Sequence, residues 1–231
     1  MKPEHCVLAC DGTALRHPAL RTALVHDLAR LHERGFGWVV VCSESTGLAL
    51  PAALGGATSL TGQLRSALGE VDEWSSDDAM QPEGEAQLRR VLAGGGVAVI
   101  RAISMAGIEG PRPVNAASLG AYLARHLHAD RFFLMSDGAA PVVPGGRTAP
   151  QINDRTATAM AQTLSDSAAR KVPLEVAAHA VAAGLRAAHL VDARRRHALG
   201  RELLGLGGAG ITIVAHAADR FARDSQRYFT R

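Results

Sequence analysis

The chain has 231 residues, of which 47% are hydrophobic and 20% are charged, and its formal net charge is +3. This is enough apolar material to fill the core of one large domain. The small net charge does not support a nucleic-acid partner, and no apolar run approaches the roughly 18 residues of a membrane span. Its first residues lack the pattern of a secretory signal, so we expect a cytoplasmic protein that binds neither nucleic acid nor membrane.

The first 42 residues have the pattern of a strand, a helix and a second strand. An apolar run at 6–9 predicts a buried strand, apolar positions spaced by three and four predict a helix over 18–33, and 38–42 is again a buried strand. This order implies a right-handed crossover in a parallel sheet. All three cysteines are expected to be reduced core residues rather than metal ligands: Cys6, Cys10 and Cys42.

The rest of the chain continues in the same style, so the predicted fold class is α/β, a three-layer sandwich with a mainly parallel sheet. The acidic, turn-rich stretch 69–85 is predicted to be an exposed loop, and glycine and proline clusters in 137–152 predict a hairpin. Strands are predicted at 97–102, 131–136, 188–192 and 210–214, and helices at 116–127, 154–165, 172–184, about 195–204 and 217–228.

The stretch HCVLACDGTAL, residues 5–15, places a glycine turn between the first strand and the first helix. Such a turn commonly binds anions, because backbone N–H groups at the helix start point toward the ligand. Asp11 puts a carboxylate there, and no lysine stands nearby. The whole chain has only two lysines, Lys2 and Lys171.

Two longer runs carry a family resemblance: VNAASLGAYLARHLHADRFFLMSDGAAPVVPGGRTAPQI, from residue 114, and KVPLEVAAHAVAAGLRAAHLVDARRRHALGRELLGLGGAGITI, from residue 171. An asparagine and helix, a strand ending in Ser-Asp, a lysine-bearing helix and a final strand follow one another over about 95–214. This serial order resembles the carboxyl half of acetylglutamate kinases, in the amino acid kinase family. The resemblance implies one amino acid kinase-like domain over 1–231, with an amino-acid-binding lobe at 1–96 and a nucleotide-side lobe and C-terminal helix at 97–231.

The resemblance also implies roles for single residues. Asn115 would contact the amino-acid substrate, Ser136 and Asp137 would line the nucleotide site, and Lys171 would meet the transferring phosphoryl group. The residues themselves allow plainer interpretations: a helix cap at 115, a turn carboxylate at 137 and a surface helix start at 171.

Two phosphate-binding motifs of the family are altered. Where its members have Lys-x-Gly-Gly, residues 9–12 are Ala-Cys-Asp-Gly, and the glycine-rich turn after the second strand is replaced by residues that include Ser43 and Glu44. We predict that Gly12 and Ser43 still contact the ligand. Loss of a lysine and gain of Asp11 and Glu44 would oppose phosphoryl transfer, which depends on neutralising charge.

Three functions are compatible with this pattern. In the first, the protein would bind an acylated, glutamate-like amino acid, with ATP-dependent phosphoryl transfer lost or altered, and would act as a sensor or as a subunit of a complex. Alternatively, it is an active acetylglutamate kinase-like enzyme that uses Lys171 and an arginine. The third is a repurposed biosynthetic enzyme, with Asp11 and Glu44 as bases and arginines accepting an anionic leaving group.

The ligand common to these functions is a small-molecule amino-acid derivative. The residues name no cofactor, and the resemblance implies ATP and magnesium. A protein partner or carrier is expected in the first function, and the resemblance implies a homo- or hetero-oligomer.

Overall fold

The computed structural model describes residues 4–10, 15–43, 59–104, 112–137, 151–164, 168–204 and 210–216. Helices and strands alternate through most of these ranges. In chain order they are β1 (Glu4–Cys10), α1 (Pro18–His32), β2 (Phe36–Cys42), α2 (Leu60–Leu68), β3 (Asp72–Ser75), α3 (Ser76–Ala79), α4 (Pro82–Ala93), β4 (Val97–Arg101), β5 (Ile103–Ser104), β6 (Arg112–Pro113), α5 (Ala116–His126), β7 (Arg131–Ser136), β8 (Gln151–Asn153), α6 (Asp154–Thr163), α7 (Ala168–Ala182), β9 (Ala187–Asp192), α8 (Ala198–Leu203) and β10 (Gly210–Val214).

Eight strands form one sheet in the order β3-β4-β2-β1-β7-β9-β10-β8. The first six run parallel to one another, whereas β10 is antiparallel to β9 and β8 is parallel to β10. Leu8 of β1 is paired with Val40 on one side and Phe133 on the other. A mainly parallel α/β sheet was predicted, and the structure confirms it.

Helices cover both faces of the sheet, because its central strands are apolar on both sides. One core joins Val7 and Ala9 of β1 to α4, α5, α6 and α7. The other joins the alternate residues Cys6, Leu8 and Cys10 to α1, α2 and α8. The three predicted layers are therefore present.

The prediction of an exposed loop at 69–85 is wrong. This stretch contains β3 and α3 and the start of α4. Trp74, which follows two acidic residues, packs against the core, and Ser76 and Ala79 are fully buried. A four-residue edge strand needs only one apolar side chain on its inner face, so the acidic composition concealed it.

Most other predicted elements are confirmed. The helices predicted from residues 18, 116 and 154 start there, and the strands at 131–136 and 210–214 have the predicted bounds. The hairpin predicted over 137–152 falls largely outside the described residues, and the tail helix at 217–228 lies wholly outside them. No helix in the described ranges combines the length and apolarity that a bilayer crossing requires.

The three cysteines are buried and form no disulfide, as predicted. Burial raises the pKa of the Cys6 thiol, and the nearby Glu4 carboxylate raises it further. Such a thiol stays protonated and unreactive, which is typical of a core cysteine.

Candidate functional site

The sheet has a topological switch point between β1 and β7. From β1 the chain crosses one face through α1 to reach β2, whereas from β7 it reaches β9 through α6 and α7 on the opposite face. Adjacent parallel strands whose connections leave in opposite directions open a crevice beyond their carboxyl ends, and ligands bind there in open α/β sheets. We call the edge at which β1, β2, β4, β7 and β9 end the carboxyl edge.

Backbone hydrogen bonds tie neighbouring strand ends together at this edge. The N–H of Ser43 donates to the carbonyl of Cys10 at 3.3 Å, and the N–H of Ala193 donates to the carbonyl of Ser136 at 2.9 Å. Ser136 is also paired in register with Asp192 of β9. The predicted ligand-binding residues Ser43 and Ser136 therefore lie at the same edge, on strands that flank β1.

Asn115 lies at the same edge, at the start of α5. The preceding residue, Val114, donates its N–H to the carbonyl of Ala102, just past the end of β4, at 2.8 Å. The side-chain oxygen of Asn115 accepts the N–H of Ser118 at 2.9 Å and so caps the helix. The cap uses the side-chain oxygen, and the residue is exposed.

Lys171 lies in the first turns of α7. Because α7 leads directly into β9, its first turn is at the carboxyl edge and its last at the opposite edge. The ammonium nitrogen is 4.0 Å from Oε1 of Glu175, and 39% of the lysine side chain is exposed. Lys171 is the only lysine in the part of the chain that the structure describes.

A charged group that was not predicted from the sequence lies at the end of β9. The Asp192 carboxylate accepts hydrogen bonds from Nε of Arg194 at 2.9 Å and from Nη2 of Arg194 at 3.0 Å. Nε of Arg195 lies 3.8 Å from the same carboxylate. The pKa of the Arg194 guanidinium is raised, mainly by its hydrogen bond with Asp192 and also by the charge of Asp137. The predicted Asp137 is thus within electrostatic range of a paired arginine. The segment VDAR, which spans the end of an apolar strand, was the available signal.

Three helices direct their N-termini toward this edge beside the switch point: α1, α5 and α7. Each leads directly into a parallel strand, and none has an acidic residue in its first turn. Helix N-termini carry a partial positive charge from aligned peptide dipoles and unpaired N–H groups. The described part of the carboxyl edge is therefore suited to an anionic ligand.

No protein-family model matches the chain, and no curated protein matches it. Solved structures do. N-acetylglutamate synthase from Neisseria gonorrhoeae, in complex with coenzyme A and N-acetyl-glutamate, is 17% identical with a TM-score of 0.71, over 94% of this chain and 61% of that one. The same synthase with coenzyme A and L-arginine gives 16%, a TM-score of 0.68, 93% and 62%. This chain thus spans about three fifths of the synthase.

Two kinases match over nearly their whole length. UMP kinase from Bacillus anthracis is 15% identical with a TM-score of 0.63, over 94% of this chain and 98% of that one. Carbamate kinase from Giardia lamblia bound to AMP-PNP is 11% identical with a TM-score of 0.62, over 93% and 99%. The chain has the amino acid kinase fold.

Ala9, where the family resemblance implies a lysine, lies near the end of β1. Its side chain is 1% exposed, and it packs against α5. A Cβ placed on Gly120 of α5 would lie 2.8 Å from the Cβ of Ala9, so the two backbones approach closely through small residues. The space for a longer side chain is occupied by the helix.

Three residues that the sequence predicts for the site lie outside the described residues: Asp11, Gly12 and Glu44. The added negative charge inferred from Asp11 and Glu44 therefore remains a prediction. Among the described residues, the edge combines the carboxylates of Asp137 and Asp192 with Arg194 and three positive helix ends.

The Asp192–Arg194 ion pair should make the free energy of unfolding depend on pH. Burial alone would raise the pKa of the Asp192 carboxyl, but hydrogen bonds from Arg194 and the charges of Arg194 and Arg195 outweigh it, so that this pKa is lowered. A lowered pKa stabilises the fold above the ordinary carboxyl value, and this contribution is lost as the pH falls through the lower folded value. We expect Asp192→Asn to cost about 1 kcal/mol of unfolding free energy at pH 7, because the arginine is exposed.

Urea unfolding of the wild type and Asp192→Asn between pH 2.5 and 7 measures this effect. The difference should shrink toward zero at the acid end. Asp72→Asn, at an exposed position of β3, is the control. A constant difference across the range would contradict the charge-based explanation.

Proposed function

We propose that the carboxyl edge binds an acylated, glutamate-like amino acid and that ATP-dependent phosphoryl transfer is lost or altered, in a sensor or a subunit of a complex. The amino acid would contact mainly residues 1–96, and any nucleotide would contact 97–231. The observation that carries the proposal is the packing of Ala9 against α5 where the family has a lysine. Without that lysine the edge can still hold an anion, but it lacks a cation where charge develops during transfer.

The chemistry of the edge supports this ligand class. An acylated glutamate has two carboxylates and one amide. The first turns of α1, α5 and α7 provide N–H donors for carboxylates, and the Asn115 amide can pair with the ligand's amide. The synthase neighbours support the proposal further, because they were crystallised with N-acetyl-glutamate or L-arginine and are not named as kinases.

Two capping asparagines allow a matched test of ligand binding. Asn115 caps α5 at the carboxyl edge, and Asn153 caps α6 in the same way, its Oδ1 accepting Thr156 N–H at 2.8 Å. Asn153 lies at the opposite edge, where Val214 is paired with both Asn153 and Ala187. We expect Asn115→Ala and Asn153→Ala each to cost about 1 kcal/mol of unfolding free energy.

Only Asn115→Ala should weaken binding of N-acetyl-L-glutamate, by at least about tenfold, which is 1.4 kcal/mol. Isothermal titration of the wild type and both variants measures this. Equal affinities for both variants would remove Asn115 from the site. No saturable binding by the wild-type protein would overturn the proposed ligand class.

Phosphoryl transfer is tested separately by trapping acetylglutamyl phosphate with hydroxylamine in the presence of ATP-magnesium. We expect the wild type to give no more hydroxamate than Lys171→Ala. Arg170→Ala is the control, because Arg170 is an exposed cation one residue away. Rapid product formation that Lys171→Ala abolishes and Arg170→Ala preserves would instead establish an active kinase.

A further inference from the structure

A second group of chemically reactive side chains joins α1 to the turn before α8. It consists of His26, Asp27 and His197, and one potential ligand atom from each lies within 4.8 Å of the others. The Nδ1 atom of His197 is 2.8 Å from Oδ1 of Asp27, and the rings of His26 and His197 meet edge to face with centroids 5.6 Å apart. In the described part of the chain, this is the one group of three such residues with ligand-like spacing.

Asp27 is a buried carboxylate held in a fixed orientation. Its residue is 6% exposed, and its Oδ2 accepts the N–H of Gly200 at 3.0 Å. A Cβ on Gly200 would come within 3.2 Å of the carboxylate, so a glycine permits this close approach. Orientation of a ligating carboxylate by a neighbouring hydrogen bond is a regular feature of metal sites.

His197 is held by an unfavourable backbone. Its φ of 56° and ψ of 30° place it in the left-handed region, which costs a non-glycine residue free energy. This backbone places the imidazole against Asp27, while 44% of the side chain remains exposed. His26 is exposed as well, so a solvated ion can reach both imidazoles.

We propose that His26, Asp27 and His197 bind a divalent transition metal ion such as Zn²⁺. Two imidazoles and a carboxylate are a common ligand set for such ions, with water completing the coordination. Nδ1 of His197 and Oδ1 of Asp27 are 2.8 Å apart, so an ion about 2.1 Å from both would have an N–metal–O angle of roughly 90°. The exposed His26 side chain can rotate to provide the third ligand.

One cation lies close to this site. Arg195 lines the small cavity beside Asp27 and His197, but its Nε is 3.8 Å from the Asp192 carboxylate, which offsets its charge. A bound ion would fix the turn 193–197 against α1. That turn carries Arg194, so the metal would hold one side of the carboxyl edge in place, whatever ligand binds there.

The test is titration of untagged protein with ZnCl₂ in competition with a chromogenic zinc chelator. We expect one ion per chain, with binding at least tenfold weaker in His26→Ala and in His197→Asn. Asparagine is chosen at 197 because it tolerates a left-handed backbone. His17→Ala, at an exposed histidine before α1, should bind like the wild type.

Two further measurements separate a metal site from a purely structural contact. Binding should weaken between pH 7.5 and 5.5, because imidazoles bind metal only when neutral. Cobalt(II) should give visible absorption bands that are lost in His26→Ala. Absence of one-to-one binding, or zinc affinity unchanged in His26→Ala, would overturn the proposal. His26→Ala decides even if His197→Asn fails to fold, because it leaves the Asp27–His197 hydrogen bond in place.

Discussion

Ala9→Lys is expected to lower the free energy of unfolding by about 3 kcal/mol or more and to leave the chain without phosphotransfer activity. The substitution introduces the residue type that the family resemblance implies at this position. In this chain, however, the Ala9 side chain is 1% exposed and lies against Gly120 of α5. A lysine there must either displace the helix or bury its ammonium group, and both are costly. Urea unfolding and the hydroxylamine assay measure the two effects.

Ala86→Lys is the matched control, because Ala86 is exposed on α4 and the change in side chain is the same. Its unfolding free energy should stay within about 0.5 kcal/mol of the wild type. Wild-type stability of Ala9→Lys, together with new hydroxamate formation, would contradict the prediction. It would mean that the lysine position is open and that a single substitution had removed catalysis.

The central sheet could be predicted because its strands are continuous apolar runs. Residues 132–136 and 38–42 are buried, and short, nearly continuous apolar runs of this kind are typical of central strands in a parallel sheet. Helix α2 could also have been predicted, since Leu60, Leu64 and Leu68 repeat at intervals of four. Edge strand β3 could not be predicted, because it contains two adjacent acidic residues and only one core-facing apolar side chain, Trp74.

Part of the candidate site follows from chain order alone. Ser43 and Asp137 each come directly after a predicted parallel strand, so both belong at the carboxyl edge. The contact between Asp27 and His197 has no such signal, because 170 residues separate them and nothing local indicates that α1 packs beside α8. Tertiary packing decides such pairs, and periodicity reports only which face of a helix is buried.

Gly84→Ala is expected to cost about 2 to 4 kcal/mol of unfolding free energy. Gly84 lies in the first turn of α4 where that helix meets α3. A Cβ there would be 1.9 Å from the carbonyl oxygen of Asp78, which is backbone and cannot rotate away. The two helices would have to separate, which would expose the buried Ala79. Thermal and urea unfolding measure the loss.

Gly94→Ala, at the other end of α4, is the control. Its φ is −78°, and a Cβ there meets its nearest atoms at an ordinary 3.5 Å. This variant should change the unfolding free energy by less than about 1 kcal/mol and can even stabilise the chain, because alanine restricts the unfolded state. If Gly84→Ala were equally mild, α3 and α4 would not be packed as described, and the exposed loop that the acidic composition of 69–85 predicts would be the better account.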